Sequence, residues 1–217
     1  MKKVAERSAL ILDTALHLAE QQPWENVRLH DVAAALDCTL DEIRRCYPQK
    51  EDLIDAWFDR ADQAMLQDAA HTDFNQLAPL ERIERVMMSW ILALAPHQRV
   101  TRQMILGRLE PGHLHIQIAA LMRVSRTVQW MREAAQRKAT YLNRALEESL
   151  LTSLYLATFA QWLVDDSQDF EKTRQRLHRR LHRLNLVLHL TEGEHTEPQA
   201  YRVPPAEAKS RRTHTHH

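Results

Sequence analysis

Residues 27–54, VRLHDVAAALDCTLDEIRRCYPQKEDLI, hold two short runs of helical apolar spacing with a break between them, and few folds accommodate that pattern. Val32, Ala33 and Leu36 mark the first run. Asp37-Cys38-Thr39 interrupts it. Thr39 carries a side-chain oxygen suited to capping whatever helix follows. Ile43 and Tyr47 then share one helical face, and Pro48 stops that helix, because the residue before a proline avoids helical backbone angles. Lys50-Glu51-Asp52 opens a longer amphipathic helix. A short helix, a three-residue turn and a second short helix form the sequence shape of a helix-turn-helix.

The rest of the chain favours helices too. Only 3 glycines occur in 217 residues, and Leu, Ala, Arg, Glu and Gln dominate, so the fold class reads as all-α with about nine helices. Residues 3–21 are amphipathic, with Val4, Ile11, Ala15 and Leu18 on one face and Leu12, Leu16 and Ala19 beside them. A fourth helix over 49–69 turns Leu53, Ile54, Trp57, Ala61, Ala64 and Met65 inward. Residues 70–77 are a hinge candidate. Pro79 suits the first turn of a helix over 79–94, with Ile83, Val86, Met87, Trp90, Ile91 and Leu94 inward. Pro96 and Gly107 bracket a shorter helix, and Pro111-Gly112 precedes a long one to about 135, striped by Leu114, Ile118, Leu121, Ser125 and Val128. Residues 137–164 form a helix that is apolar nearly all round near its end. Asp165-Asp166-Ser167 caps a last helix over 169–190, whose Leu177, Leu181, Leu184 and Leu188 make a seam. The expected organisation is a helix-turn-helix head over 1–48, a connecting helix over 49–69, a body over 70–190 and a solvated tail over 191–217.

The head resembles the N-terminal domain of the TetR/AcrR family of bacterial transcriptional regulators. Ile11, Ala15, Ala19, Trp24 and Val27 carry the likeness, then Val32-Ala33, Thr39, Ile43, Tyr47-Pro48, Lys50-Glu51 and Leu53. Asp37 stands where the family has Gly, Asp41-Glu42 where it has Gly-Thr, and Arg44 where it has Tyr. The resemblance implies a DNA operator as partner and a repressor released by a small hydrophobic effector. A second likeness covers LYLATFAQWLVDDSQDFEKTRQRLHRRL, which resembles the TetR-folded lipid-binding proteins of ubiquinone biosynthesis. That alternative implies the same fold, an isoprenoid lipid ligand and a degenerate helix-turn-helix that does not bind DNA.

Arg44 and Arg45 lie on the helix expected in the major groove, where Arg can reach a guanine edge or a phosphate. Lys50 sits at a helix N-terminus, a natural phosphate site. Thr39 and Tyr47, at the two ends of the short helix, complete the expected DNA-contacting set. Charge is uneven: residues 1–70 hold 8 Lys/Arg against 14 Asp/Glu, a net of −6, and residues 71–190 hold 17 against 11, a net of +6. A net-negative head is not the usual footprint of a DNA reader, so any DNA contact depends on charge placed on one face.

In the body, Met87, Trp90, Met104, His113, Met122, Arg126 and Trp130 are the expected lining of an effector pocket, since Met and aromatic side chains with a few polar groups suit an apolar ligand. The helices over 137–164 and 169–190 are the expected homodimer interface, four of them making a bundle. There is no P-loop, GxGxxG, GxSxG or HExxH, so no enzyme and no cofactor are expected. Cys38 and Cys46 read as reduced packing residues. His178 and His182 are four apart but sit among arginines that repel a cation, so no metal site is expected. No apolar run reaches the roughly 18 residues of a membrane span, and MKKVAERSA lacks an apolar signal core, so the expected location is the cytoplasm.

Overall fold

The computed structural model describes residues 2–108, 114–136 and 141–192. Among the described residues it holds nine α-helices and no strand. They are α1 (Lys2–Gln21), α2 (Leu29–Ala35), α3 (Leu40–Cys46), α4 (Lys50–Ala69), α5 (Pro79–Leu94), α6 (Gln98–Arg108), α7 (Leu114–Ala134), α8 (Tyr141–Trp162) and α9 (Glu171–Glu192). Short 3₁₀ turns fall at Trp24–Asn26, Phe74–Gln76, Ala95–His97 and Gln168–Phe170. The all-α expectation holds. The expected tail lies outside the described residues, apart from the end of α9.

Three helices make the head. Ile11, Leu12, Ala15, Leu16 and Ala19 of α1 are buried, and α1 packs on α2, α3 and α4. Val4, expected on that face, is exposed, because it lies more than a turn before the first buried position. Val32, Ala33 and Ile43 close the head core from α2 and α3.

α4 leads from the head into the body and packs most extensively on α5. Trp57, Phe58, Ala61 and Met65 of α4 are buried in one core with Ile83, Val86, Met87, Trp90, Ile91 and Leu94 of α5. Phe58 stacks on Trp90, and Tyr155 and Phe159 from α8 meet the Trp90 ring edge-on. Burying such rings contributes roughly 0.5–1.5 kcal/mol per pair beyond the area they remove from water.

Head and body also meet through α6. The Trp24 N–H donates to Gln103 Oε1 at 2.7 Å. Glu20, at the end of α1, holds His97 Nδ1 at 2.9 Å and Arg99 at 3.1 Å.

Residues 70–77 are pinned rather than hinge-like. Phe74 is fully buried, and Arg85 bridges Asp68 at 2.8 Å and Asp73 at 2.7 Å. Arg82 donates to the Leu77 and Asn75 carbonyls at 3.0 and 2.8 Å. Two backbone carbonyls and the Asp73 carboxylate of this stretch thus hold two arginines of α5.

Candidate nucleic-acid interface

Asp37 takes φ 47°, the left-handed conformation between α2 and α3 that usually favours glycine. Asp is among the few residues that adopt it readily. Thr39 caps α3: its Oγ1 accepts from the Glu42 backbone N–H at 3.3 Å, and Glu42 Oε2 accepts from the Thr39 N–H at 3.0 Å. This reciprocal box satisfies two of the free N–H groups of the helix start. Glu42 also reaches Arg7 of α1 at 3.4 Å.

Ile43 faces the core, which turns Leu40, Asp41, Arg44 and Arg45 to solvent. The Arg44 and Arg45 side chains are 71% and 74% exposed. Both donate to one carboxylate. Arg44 Nη2 meets Asp41 Oδ1 at 2.8 Å, and Arg45 Nη2 meets Asp41 Oδ2 at 2.6 Å. The Arg44 hydrogen bond and the Arg45 charge hold the Asp41 carboxyl below its usual range.

Tyr47 and Lys50 are turned inward, which corrects their expected contact with DNA. Tyr47 is buried and its hydroxyl donates to the Ser8 carbonyl of α1 at 3.0 Å. Burial pushes that phenol up. Lys50 Nζ donates to the Trp24 and Glu25 carbonyls at 2.6 and 3.1 Å and lies 4.9 Å from the Trp24 ring centroid. Burial pushes its ammonium down. Two of the three lysine donors are therefore spent on holding the Trp24–Asn26 turn against α4.

The six expected pocket residues that the structure describes do not surround one cavity. Met87, Trp90 and Met104 are packed core. Met122 and Trp130 are 67% and 48% exposed, and Arg126 lies between them, also exposed. These three repeat at four-residue spacing on the outer face of α7, while Arg123, Thr127 and Met131 take the inner face. His113 lies outside the described residues. An open cleft of about 570 Å³ runs between α4 and α7, lined by Asp59, Asp62, Gln63, Leu66, Gln67, Ala70, Arg126 and Trp130. Sequence reasoning missed Asp62 and Arg123. Both sit on inward positions of otherwise apolar faces, the one signal that could have found them.

Part of the leucine seam of α9 is occupied within the chain. Leu177 is fully buried and Leu181 is only 1% exposed, because α9 packs on α5 and α8. Uncovered apolar surface belongs instead to α8, where Leu146 and Leu156 are exposed, with Ser149, Ser153 and Ala160 along the same side. The Asp165-Ser167 cap is formed as expected. Asp165 accepts from the Ser167 N–H at 2.9 Å and the Thr173 N–H at 2.8 Å. Among the described residues no group of three His, Cys, Asp or Glu is placed to hold a metal ion. No helix there is long and apolar enough to cross a membrane.

A capped helix-turn-helix on an all-helical body defines a protein of the helix-turn-helix regulator class. The fold is similar to that of the TetR transcriptional regulator from Nitrosomonas europaea ATCC 19718, with 51% sequence identity over 82% of this chain and 98% of that chain and a TM-score of 0.75. A TetR transcriptional regulator from Rhodococcus sp. RHA1 shares the fold at 17% identity, 86% and 98% coverage and a TM-score of 0.58. A family model described as COQ9 matches residues 120–187, from within α7 into α9. None of the curated proteins matches. The chain belongs to the TetR family of transcriptional regulators.

Proposed function

We propose that the protein is a DNA-binding repressor, released from its operator by a small hydrophobic effector. The carrying observation is the capped α3 helix, which presents Arg44 and Arg45 on an outward face, fixed by the burial of Ile43 and Tyr47 on the other. Thr39, Arg44 and Arg45 are the DNA-contacting residues in this reading. A homodimer formed through α8 and α9 sets two such heads on a pseudo-palindromic site. The exposed apolar side of α8 supports that assembly, with its small residues letting helices approach closely. The effector docks at the α4–α7 cleft, where Leu66, Ala70 and Trp130 offer apolar surface and Arg126 a charge.

The test is a binding selection on genomic fragments with wild type and the Arg44→Ala/Arg45→Ala double variant, titrated in salt. The expected result is an enriched palindrome that the double variant loses, with affinity falling steeply as salt rises. No enrichment at low salt overturns the reading.

The second reading is a lipid-binding accessory protein that does not touch DNA. The COQ9 match over residues 120–187 favours it, as does the acidic head. Isoprenoid lipid retained through purification, together with no enriched DNA, is the result that selects it.

A further inference from the structure

Asp41 is an acidic side chain in the middle of a face that this reading brings against DNA. A free carboxylate there repels phosphates. The helix start does not need it, because Thr39 and Glu42 already form the reciprocal cap. Asp41 instead points along α3 and takes one Nη2 donor from Arg44 and one from Arg45, at 2.8 and 2.6 Å. These residues lie three and four positions on, so all three share one helix face.

Each guanidinium carries five N–H donors. One contact to Asp41 leaves the rest of each fork free. Long exposed arginines lose rotamer freedom when they dock on a base edge, and side chains that are already held lose less. A single carboxylate also fixes the two forks relative to each other. Two Nη2 groups bonded to the two oxygens of one carboxylate can be no more than roughly two base-pair steps apart, at about 3.4 Å per step.

Resting on the DNA-binding reading above, we propose that Asp41 is a specificity-determining residue, a buttress that presents Arg44 and Arg45 together to guanine edges in neighbouring base pairs of each half-site. Arg reads guanine O6 and N7 through two parallel hydrogen bonds, and the carboxylate discourages the same arginines from swinging to phosphates. The residue therefore lowers overall attraction to DNA and raises discrimination. It acts on DNA through the arginines and makes no base contact of its own.

The experiment compares wild type, Asp41→Asn and Arg44→Lys in the same selection, each followed by salt titration on the enriched site and on random duplex. Asp41 is exposed and outside the cap, so the asparagine variant keeps the fold, which circular dichroism verifies. The expected result is tighter binding of Asp41→Asn to random duplex, with a salt slope steeper by about 1. Its preference for guanine at the positions read by the arginines falls by about fivefold or more. Arg44→Lys keeps the charge and loses the fork, so it loses guanine preference at one position without steepening the slope. An Asp41→Asn profile with undiminished guanine preference overturns the buttress while leaving DNA binding intact. Absence of any enriched site in wild type overturns the DNA-binding reading and the buttress with it, and the two failures are told apart by the wild-type arm alone.

Discussion

Trp90 donates its indole N–H to an Asp62 carboxylate oxygen at 2.7 Å, and both side chains are buried. Thr127 of α7 donates to the same oxygen at 3.0 Å, and Arg123 of α7 lies 3.4 Å from the other. Arg123 also meets Asp59 at 2.8 Å and donates to the Asp55 carbonyl at 3.0 Å. The helix that leads out of the head is thus tied to α5 and α7 through one buried carboxylate. Burial pushes the Asp62 carboxyl up, against the Trp90 hydrogen bond and the Arg123 charge.

Trp90→Phe keeps an aromatic ring in the cluster with Phe58, Tyr155 and Phe159 but removes the N–H donor. A buried acceptor that loses a partner costs about 1–3 kcal/mol. Urea unfolding is expected to show that loss. A variant as stable as wild type means that the hydrogen bond contributes nothing net.

The direction of the Asp62 shift sets its pH dependence. Its folded value lies above the unfolded 3.8, so the folded state binds the extra proton. Its contribution is fully present below 3.8 and is lost as pH rises through the folded value. Asp62→Asn is expected to flatten that part of the profile, read as melting temperature as pH rises from 3.8. An unchanged slope in the variant assigns the titration to another group.

Asp165 runs the opposite way. Burial works against its charge, but hydrogen bonds from Ser167 and Thr173 outweigh that and hold the carboxyl at about 2. Its contribution is present above 3.8 and disappears as pH falls through about 2. A shift of this size corresponds to about 2 kcal/mol. Asp165→Ala is therefore expected to lose about that much at pH 7 and much less near pH 2, measured by denaturant unfolding at both. Equal losses at the two pH values exclude the charged form as the stabilising one.

Periodicity placed the helices well because it reports burial within one element. Ile83, Val86, Trp90, Ile91 and Leu94 were legible for that reason, and so was the α3 start, where Thr39 announces its own cap. Spacing does not say which neighbour covers a face. Leu177 and Leu181 of α9 read as part of a dimer seam yet are buried where α9 packs on α5 and α8. Met87, Trp90 and Met104 read as a pocket lining yet are packed core, and of the expected set Arg126 and Trp130 line the α4–α7 cleft. Polar side chains were least legible. Tyr47 and Lys50 have residue types that suit DNA, and only the positions of the Ser8 and Trp24 carbonyls reveal that they are spent inside.

The burial of Leu181 separates folding from assembly. A charge there is uncompensated, and Leu181→Glu is expected to cost at least about 3 kcal/mol and lose helical signal. Leu156 is exposed, so Leu156→Glu is expected to keep the circular dichroism spectrum while sedimentation falls from dimer to monomer. A Leu156→Glu protein that stays dimeric at micromolar concentration moves the interface away from this side of α8.

The head offers a cleaner separation still. Tyr47→Phe removes only the hydroxyl that donates to Ser8, and Lys50→Met removes the ammonium that holds the Trp24 and Glu25 carbonyls. Each is expected to cost about 1–2 kcal/mol of stability, because a part-buried carbonyl loses its partner. Neither side chain faces the α3 surface, so the salt slope of DNA binding is expected to stay within about 0.3 of wild type, where each lost phosphate contact changes it by about 0.9. Arg44→Ala and Arg45→Ala are expected to do the reverse. Their side chains are exposed, so stability moves by less than about 0.5 kcal/mol while DNA binding weakens. A slope that falls by about 1 in Lys50→Met returns that lysine to the phosphate contact its helix-start position suggested, with its third donor making the bond.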